Sequence, residues 1–385
     1  MTRRERYIRL FKGEEVDRPA IKLWSLTHGQ PLLHPDYRPV YELGVRTADL
    51  YDGGACPFDC VFGFGHDRIR RERRQISEDW DEETLTLDTG GKPLTRVNRL
   101  SRAGKPGYTM ERFVKDENDL RAILDMPYAP YPADLSQYAR AVERVGDDGV
   151  AMYGLTHPAY EMYELMGSET LALLTVESHG LLEQTVELYS SRLLAHVKNL
   201  IDAGLPRLYD FLACGWVGPE LFIPPLLSPA DFDCFCFKPD KKLIDLIHDA
   251  GGYVWVHCHG KVRGFIGRFV EMGCDMLNPI EPPPMGDITL REAFAMVDGK
   301  MALEGNIQIG DVMTASADEI RHLVDRALDE CENRFVLGLT AGYMEVPEPP
   351  AVLIDNLMLF LTYGLERLQA MAHNDGSVRN LGCRR

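Results

Sequence analysis

The stretch Tyr253-Val-Trp-Val-His-Cys-His-Gly260 concentrates more chemistry than any other in this chain. Its β-branched and aromatic residues predict a strand, and side chains two apart on a strand share a face. His257 and His259 therefore point the same way, with Trp255 on that face behind them. Two imidazoles about 7 Å apart at Cβ can reach one metal ion. Zinc is the expected ion, since it takes His nitrogen and keeps an open position at catalytic sites. The alternative is that the rings bond core groups or touch substrate. A metal site also needs a third ligand from another strand. Glu304, in Met301-Ala-Leu-Glu-Gly-Asn306, is one candidate, and Glu281 and Cys214 are others. Glu304 could equally be a general base or the partner of a loop N–H.

Apolar, β-rich runs recur along the chain at Ala20–Trp24, Cys56–Phe64, Val150–Leu155, Arg207–Leu212, Gly252–His257, Met276–Asn278, Lys300–Glu304 and Arg334–Leu337. Helical patterns fall between most of them. Ser316-Ala-Asp-Glu319 and Thr289-Leu-Arg-Glu292 read as capping boxes, and Ser228-Pro229 as a cap before a first-turn proline. Helices are also expected at about residues 2–12 and 39–50. Strands alternating with helices predict a parallel sheet. The count and the length of 385 residues predict a (β/α)₈ barrel, α/β in class, as one domain over 1–385. No GxGxxG follows the first strand, so a dinucleotide-binding sheet is disfavoured. Residues 68–114 alternate apolar and charged positions around turns such as Thr89-Gly-Gly91, which predicts a β-hairpin insertion near the N-terminal third.

In such a barrel the chemistry sits where strands end and loops begin. Asp210, ending Leu208-Tyr-Asp, is expected as a catalytic acid–base group, or else in a helix-cap or ion-pair role. His157 follows a strand and joins Asp210 and Glu304 as a catalytic candidate. Trp24 and His28, at and after the first strand, are expected to meet substrate, with Asn306. Cys234 and Cys236 read as buried thiols.

The net charge of −17, without a basic stripe, excludes nucleic acid as the expected partner. Nine scattered cysteines fit a reducing cytoplasm. The charges of Met1–Arg6 precede no apolar core, so no secretion signal is expected, and no run nears the ~18 apolar residues of a membrane span.

Several motifs together resemble the uroporphyrinogen decarboxylase superfamily. They are Gly218-Pro-Glu-Leu-Phe, Ser228-Pro229, Leu243–Gly252, His257-Cys-His-Gly260, Asn278–Asp287 and Glu304-Gly-Asn306, with a looser match at Arg18–Trp24. The resemblance runs from about residue 116 on and implies a (β/α)₈ barrel. True decarboxylases of that family hold porphyrin carboxylates with arginines near the first strand, and Leu23-Trp-Ser-Leu-Thr-His-Gly29 has none. The corrinoid-linked methyltransferase branch is similar in length and in the β-rich insertion. It implies a methyl donor or acceptor of small size, a corrinoid such as methylcobalamin on a partner protein, and zinc. The branch binds zinc through His-x-Cys and a later Cys; His259 and Tyr343 stand at those two Cys positions here. Zinc would then rest on His257, His259 and Glu304, and Tyr343 would contact substrate. The leading expectation is thus a corrinoid-linked methyltransferase. The alternatives are a decarboxylase with Asp210 or Asp59 as acid, and a non-catalytic barrel that binds a corrinoid or pterin.

Overall fold

The computed structural model describes residues 1–55, 59–62 and 66–379. Eight parallel strands form the expected (β/α)₈ barrel, in the order β1 (Ala20–Trp24), β12 (Phe335–Gly342), β11 (Ala302–Ile307), β10 (Met276–Ile280), β9 (Tyr253–His257), β8 (Ala213–Val217), β7 (Gly149–Gly154) and β2 (Leu50–Ala55). Their outer faces pack under helices in one large apolar cluster. Among the described residues the ladder is open only between β1 and β2. There Asp49 substitutes for it: its N–H donates to the Ile21 carbonyl at 2.8 Å. Its carboxylate accepts the Ile21 N–H at 2.9 Å. Arg6 and Arg18 neutralise this buried carboxylate.

The first helix, α1 (Arg3–Lys12), starts at Thr2, whose side chain accepts the Glu5 N–H, and stops at Gly13 in the left-handed region. Tyr7, Leu10 and Phe11 fall on one face at helical spacing. That face closes the N-terminal end of the barrel, against Ala20, Val150, Ala213, Met276, Ala302 and Val336. Arg334, leading into β12, donates to the last carbonyls of α1, Leu10 and Phe11, at 3.0–3.3 Å. The three sequence-marked caps at Ser228, Thr289 and Ser316 all close as capping boxes.

Two expected strands are corrected. The second barrel strand is Leu50–Ala55, with Asp59–Phe62 a helical turn. The remainder of the expected Cys56–Phe64 run lies outside the described residues, as does the Asp59 side chain. The second helix, α2 (Arg38–Thr47), accordingly stops short of the expected residue 50. The expected strand at Arg207–Leu212 is a 3₁₀ turn and a loop, and β8 begins at Ala213. Residues 69–111 form a separate antiparallel sheet in simple order, β3 (Ile69–Gln75), β4 (Trp80–Leu87), β5 (Leu94–Ser101) and β6 (Tyr108–Glu111). The β5–β6 loop reaches the mouth: a Cβ on Gly104 would lie 3.6 Å from Pro347, in the loop after β12. Among the described residues no helix is long and apolar enough to cross a membrane.

Candidate active site at the barrel mouth

The inward residues stack in layers, because alternate positions of each parallel strand face the axis. Above the apolar layer on α1 lies a charged one. Lys22 of β1 is 3% exposed and Glu304 of β11 1%, and they form an ion pair. Three aromatic rings surround the ammonium, at 3.7 Å (Tyr51), 5.0 Å (Trp24) and 5.5 Å (Trp255) to their centroids. The Trp255 indole donates to the second Glu304 oxygen at 3.1 Å. Burial, partly offset by Glu304, lowers the Lys22 pKa to about 8. Gly215 of β8 makes this layer possible, since a Cβ there would sit 2.9 Å from the Trp255 ring.

The next layer reaches the mouth. His257 ends β9 and its Nδ1 lies 2.7 Å from the Asn278 amide oxygen on β10. That oxygen accepts, so the ring proton belongs on Nδ1 and Nε2 keeps a lone pair. Burial, then the neighbouring His259, lowers the His257 pKa to about 3. His257 is a neutral base at any ordinary pH. Its ring stands 5.0 Å from Trp24 and 4.4 Å from His259. The Asn278 amide nitrogen is buried without a hydrogen-bond partner.

His259 is half-buried, with Nδ1 3.2 Å from a Glu281 oxygen. Glu281 also accepts the Gly260 N–H at 2.7 Å and the Gln308 amide at 3.2 Å. Burial works to raise the Glu281 pKa, but these hydrogen bonds and the His259 charge outweigh it and hold the carboxyl below its usual range. Thr340 of β12 fixes Gln308 in turn, at 3.0 Å. This chain spans the ends of four strands. It borders an open cleft of about 530 Å³ whose other walls are Glu220, Lys261 and the apolar Ile223, Pro224, Met285 and Ile309. Burial raises the Glu220 pKa.

Trp24, His257 and His259 thus bring their rings together at the mouth. The Asn306 amide donates to the Ile280 carbonyl at 3.0 Å, which ties β11 to β10. Four expectations are corrected. Asp210 precedes β8 and lies at the opposite end of the barrel, exposed and paired with Arg4 of α1. His157 is buried as the N-cap of the helix Pro158–Glu177, accepting the Tyr160 N–H at 3.2 Å and facing Asp240 at 3.0 Å. His28 turns back beside the β1–β2 opening to Asp148, at 2.8 Å, just before β7. Tyr343 is fully buried against Tyr37, and its hydroxyl donates to Gln30 at 3.3 Å.

The expected zinc ligands do not fit. Glu304 is engaged a layer below by Lys22 and Trp255, while His259 is engaged by Glu281. Among the described residues no three His, Cys, Asp or Glu side chains converge as a metal site. Cys214 faces outward, and burial raises its thiol to about 12. Sequence reasoning missed Lys22, Glu220 and Gln308. Lys22 carried a signal, as a lone cation inside an apolar parallel strand must find a buried partner.

A family description, Uroporphyrinogen decarboxylase (URO-D), matches residues 109–361. A uroporphyrinogen decarboxylase of Prochlorococcus marinus (strain MIT 9215) is 20% identical over 276 residues, covering 70% of this chain and 67% of that protein. The solved structure of a methyltransferase from Methanosarcina mazei aligns with TM-score 0.59 at 16% identity, covering 95% of this chain and 99% of that one. The last likeness is one of fold.

Proposed function

The chain belongs to the uroporphyrinogen decarboxylase (URO-D) family, and from that premise we propose that it is a methyltransferase. It moves a methyl group between a small substrate at the barrel mouth and a corrinoid carried by a partner protein. The observation that carries this reading is the lining of the cleft. Two carboxylates, Glu220 and Glu281, face it together with apolar walls, and no arginine is among the described lining residues. A tetrapyrrole carrying several carboxylates would meet two carboxyl groups against a single cation, Lys261, and no arginine clamp. A compact methylated ether, thioether or amine fits such walls.

Acid–base work falls to the imidazoles. A corrinoid brought to the mouth would supply the nucleophile for the methyl carbon, and the carbon–heteroatom bond would break with its electron pair left on the substrate heteroatom. His259 supplies the proton that neutralises it, and Glu281 stabilises the imidazolium and holds the ring in place. His257, neutral with a free Nε2, is placed to accept a hydrogen bond from a hydroxyl or N–H carried elsewhere on the substrate. Nothing in this scheme passes through zinc.

The test incubates the protein with reduced free cobalamin and a panel of O-, S- and N-methyl donors, following the cobalamin spectrum. Methylation is expected with one donor class, and His259→Ala should lower its rate by about 10²–10⁴-fold. Carbon dioxide released from a porphyrinogen, with no cobalamin methylated by any donor, would replace this reading with decarboxylation.

A further inference from the structure

The insertion sheet ends in an open edge. Among the described residues β3 pairs with β4 alone, in unbroken register from Ile69↔Leu87 to Gln75↔Asp81. It is seven residues long without Gly, Pro or bulge, and Arg70–Gln75 are all exposed. Antiparallel ladders alternate the direction of main-chain groups. Asp88 N–H donates to the Arg68 carbonyl and Ile76 N–H to the Trp80 carbonyl, so the even-numbered residues bond β4. The N–H and C=O groups of Ile69, Arg71, Arg73 and Gln75 therefore face outward as an unpaired row. Such an edge is a template for another strand unless something blocks it.

Charge decides what can pair there. In a chain of net charge −17, β3 carries four arginines and one glutamate. Their partners Asp81, Glu82 and Glu83 sit on β4 with side chains only 8–15% exposed, while Arg71, Arg73 and Arg74 remain 53–74% exposed. The sheet sorts its acids inward and its guanidinium groups outward to the edge. A second copy is disfavoured: full-length antiparallel pairing of two β3 edges would set Arg70 against Arg74, Arg71 against Arg73, and Glu72 against Glu72.

We propose that the β3 edge docks an acidic, extended segment of a partner protein as a fifth strand of the insertion sheet. The outward main-chain groups of Arg71 and Arg73 supply the ladder, and the guanidinium groups of these two residues, which share one face of the sheet, supply the selection for carboxylates on alternate residues. This holds whichever reaction the barrel performs.

The test measures fluorescence anisotropy of a labelled, end-blocked peptide of alternating Glu and Val against the full chain. Binding is expected at low salt, weakening as salt rises, and absent for the Lys/Val peptide. Arg71→Glu with Arg73→Glu should weaken it about tenfold or more. Arg73→Pro removes one outward N–H, leaves the β4 ladder intact, and should weaken it comparably. A Glu/Val peptide N-methylated at alternate residues keeps its charge but loses its donors, and it should fail against the unaltered protein even if Arg73→Pro does not fold. Equal binding of the N-methylated peptide would overturn the added strand. So would no binding of the Glu/Val peptide at low salt, or a dimer in sedimentation that Arg73→Pro dissolves.

Discussion

The barrel interior and the insertion sheet both hold cations against carboxylates, under opposite conditions. Lys22 and Glu304 are sealed from water inside the barrel. Arg73–Asp81 at 2.7 Å and Arg74–Glu82 at 2.6 Å lie along a solvent-washed edge. Taking a pair out of water costs several kcal/mol per ion, and each member then depends wholly on the other. Exposed pairs gain and lose little, because water replaces either partner. The same ion pair is therefore a structural necessity at the barrel axis and an adjustable surface feature on β3.

The sharpest break of that contrast comes from the axis. Lys22→Met or Glu304→Leu alone should cost about 3–5 kcal/mol in denaturant unfolding, whereas the double variant should recover most of the loss. Single costs below ~1 kcal/mol would mean that water reaches the pair.

His257 extends the comparison to a charge that the interior refuses. Its pKa of about 3 lies below the unfolded value of 6.5. Between those values the unfolded chain binds a proton that the folded chain does not, so stability falls as pH drops through this window. Roughly 2–3 kcal/mol should be lost between pH 6.5 and 4.5, and less in His257→Asn, as read by urea unfolding across pH. An unchanged slope in that variant would place the lost protons elsewhere.

His157→Ala, which removes a buried N-cap, should cost about 1–2 kcal/mol while leaving methyl transfer to cobalamin intact. At the surface, Arg74→Ala and Asp210→Ala should each shift stability by no more than ~0.5–1 kcal/mol. Asp210→Ala should also leave turnover unchanged, and a loss of turnover would return that carboxylate to the site. Metal analysis completes the series. Stoichiometric zinc in the wild type that disappears in His259→Ala would restore the ligand set that Lys22 and Glu281 now contradict.

The barrel was legible where its strands are apolar on both faces. The His257/His259 pair was legible because a two-residue period survives any shift of strand ends. β2 was hidden because Leu50-Tyr-Asp-Gly-Gly-Ala55 carries glycines and an acid whose partners, Thr27 and Arg144, are remote in sequence. β8 was misplaced because the bulky Leu, Tyr and Phe residues of Leu208-Tyr-Asp-Phe-Leu212 look more strand-like than the small Ala213-Cys-Gly215 that opens the real strand. The small residue at 215 reflects the Trp255 ring beside it, which no local pattern reveals. Asp210 inherited that error. Which carboxylate Lys22 would find depended on cross-barrel register, as did the diversion of Glu304 from His259.

The plug formed by α1 carries a consequence for the order of events in synthesis. Its helix is made before any barrel strand, yet the guanidinium that caps it belongs to Arg334, 324 residues after Leu10. At ribosomal rates of about 5–20 residues per second, α1 waits some tens of seconds for its seat. Throughout that time Tyr7, Leu10 and Phe11 have no closed barrel to enter. A chain shortened before β12 should therefore expose a sticky amphipathic helix and depend on chaperones far more than the 385-residue chain.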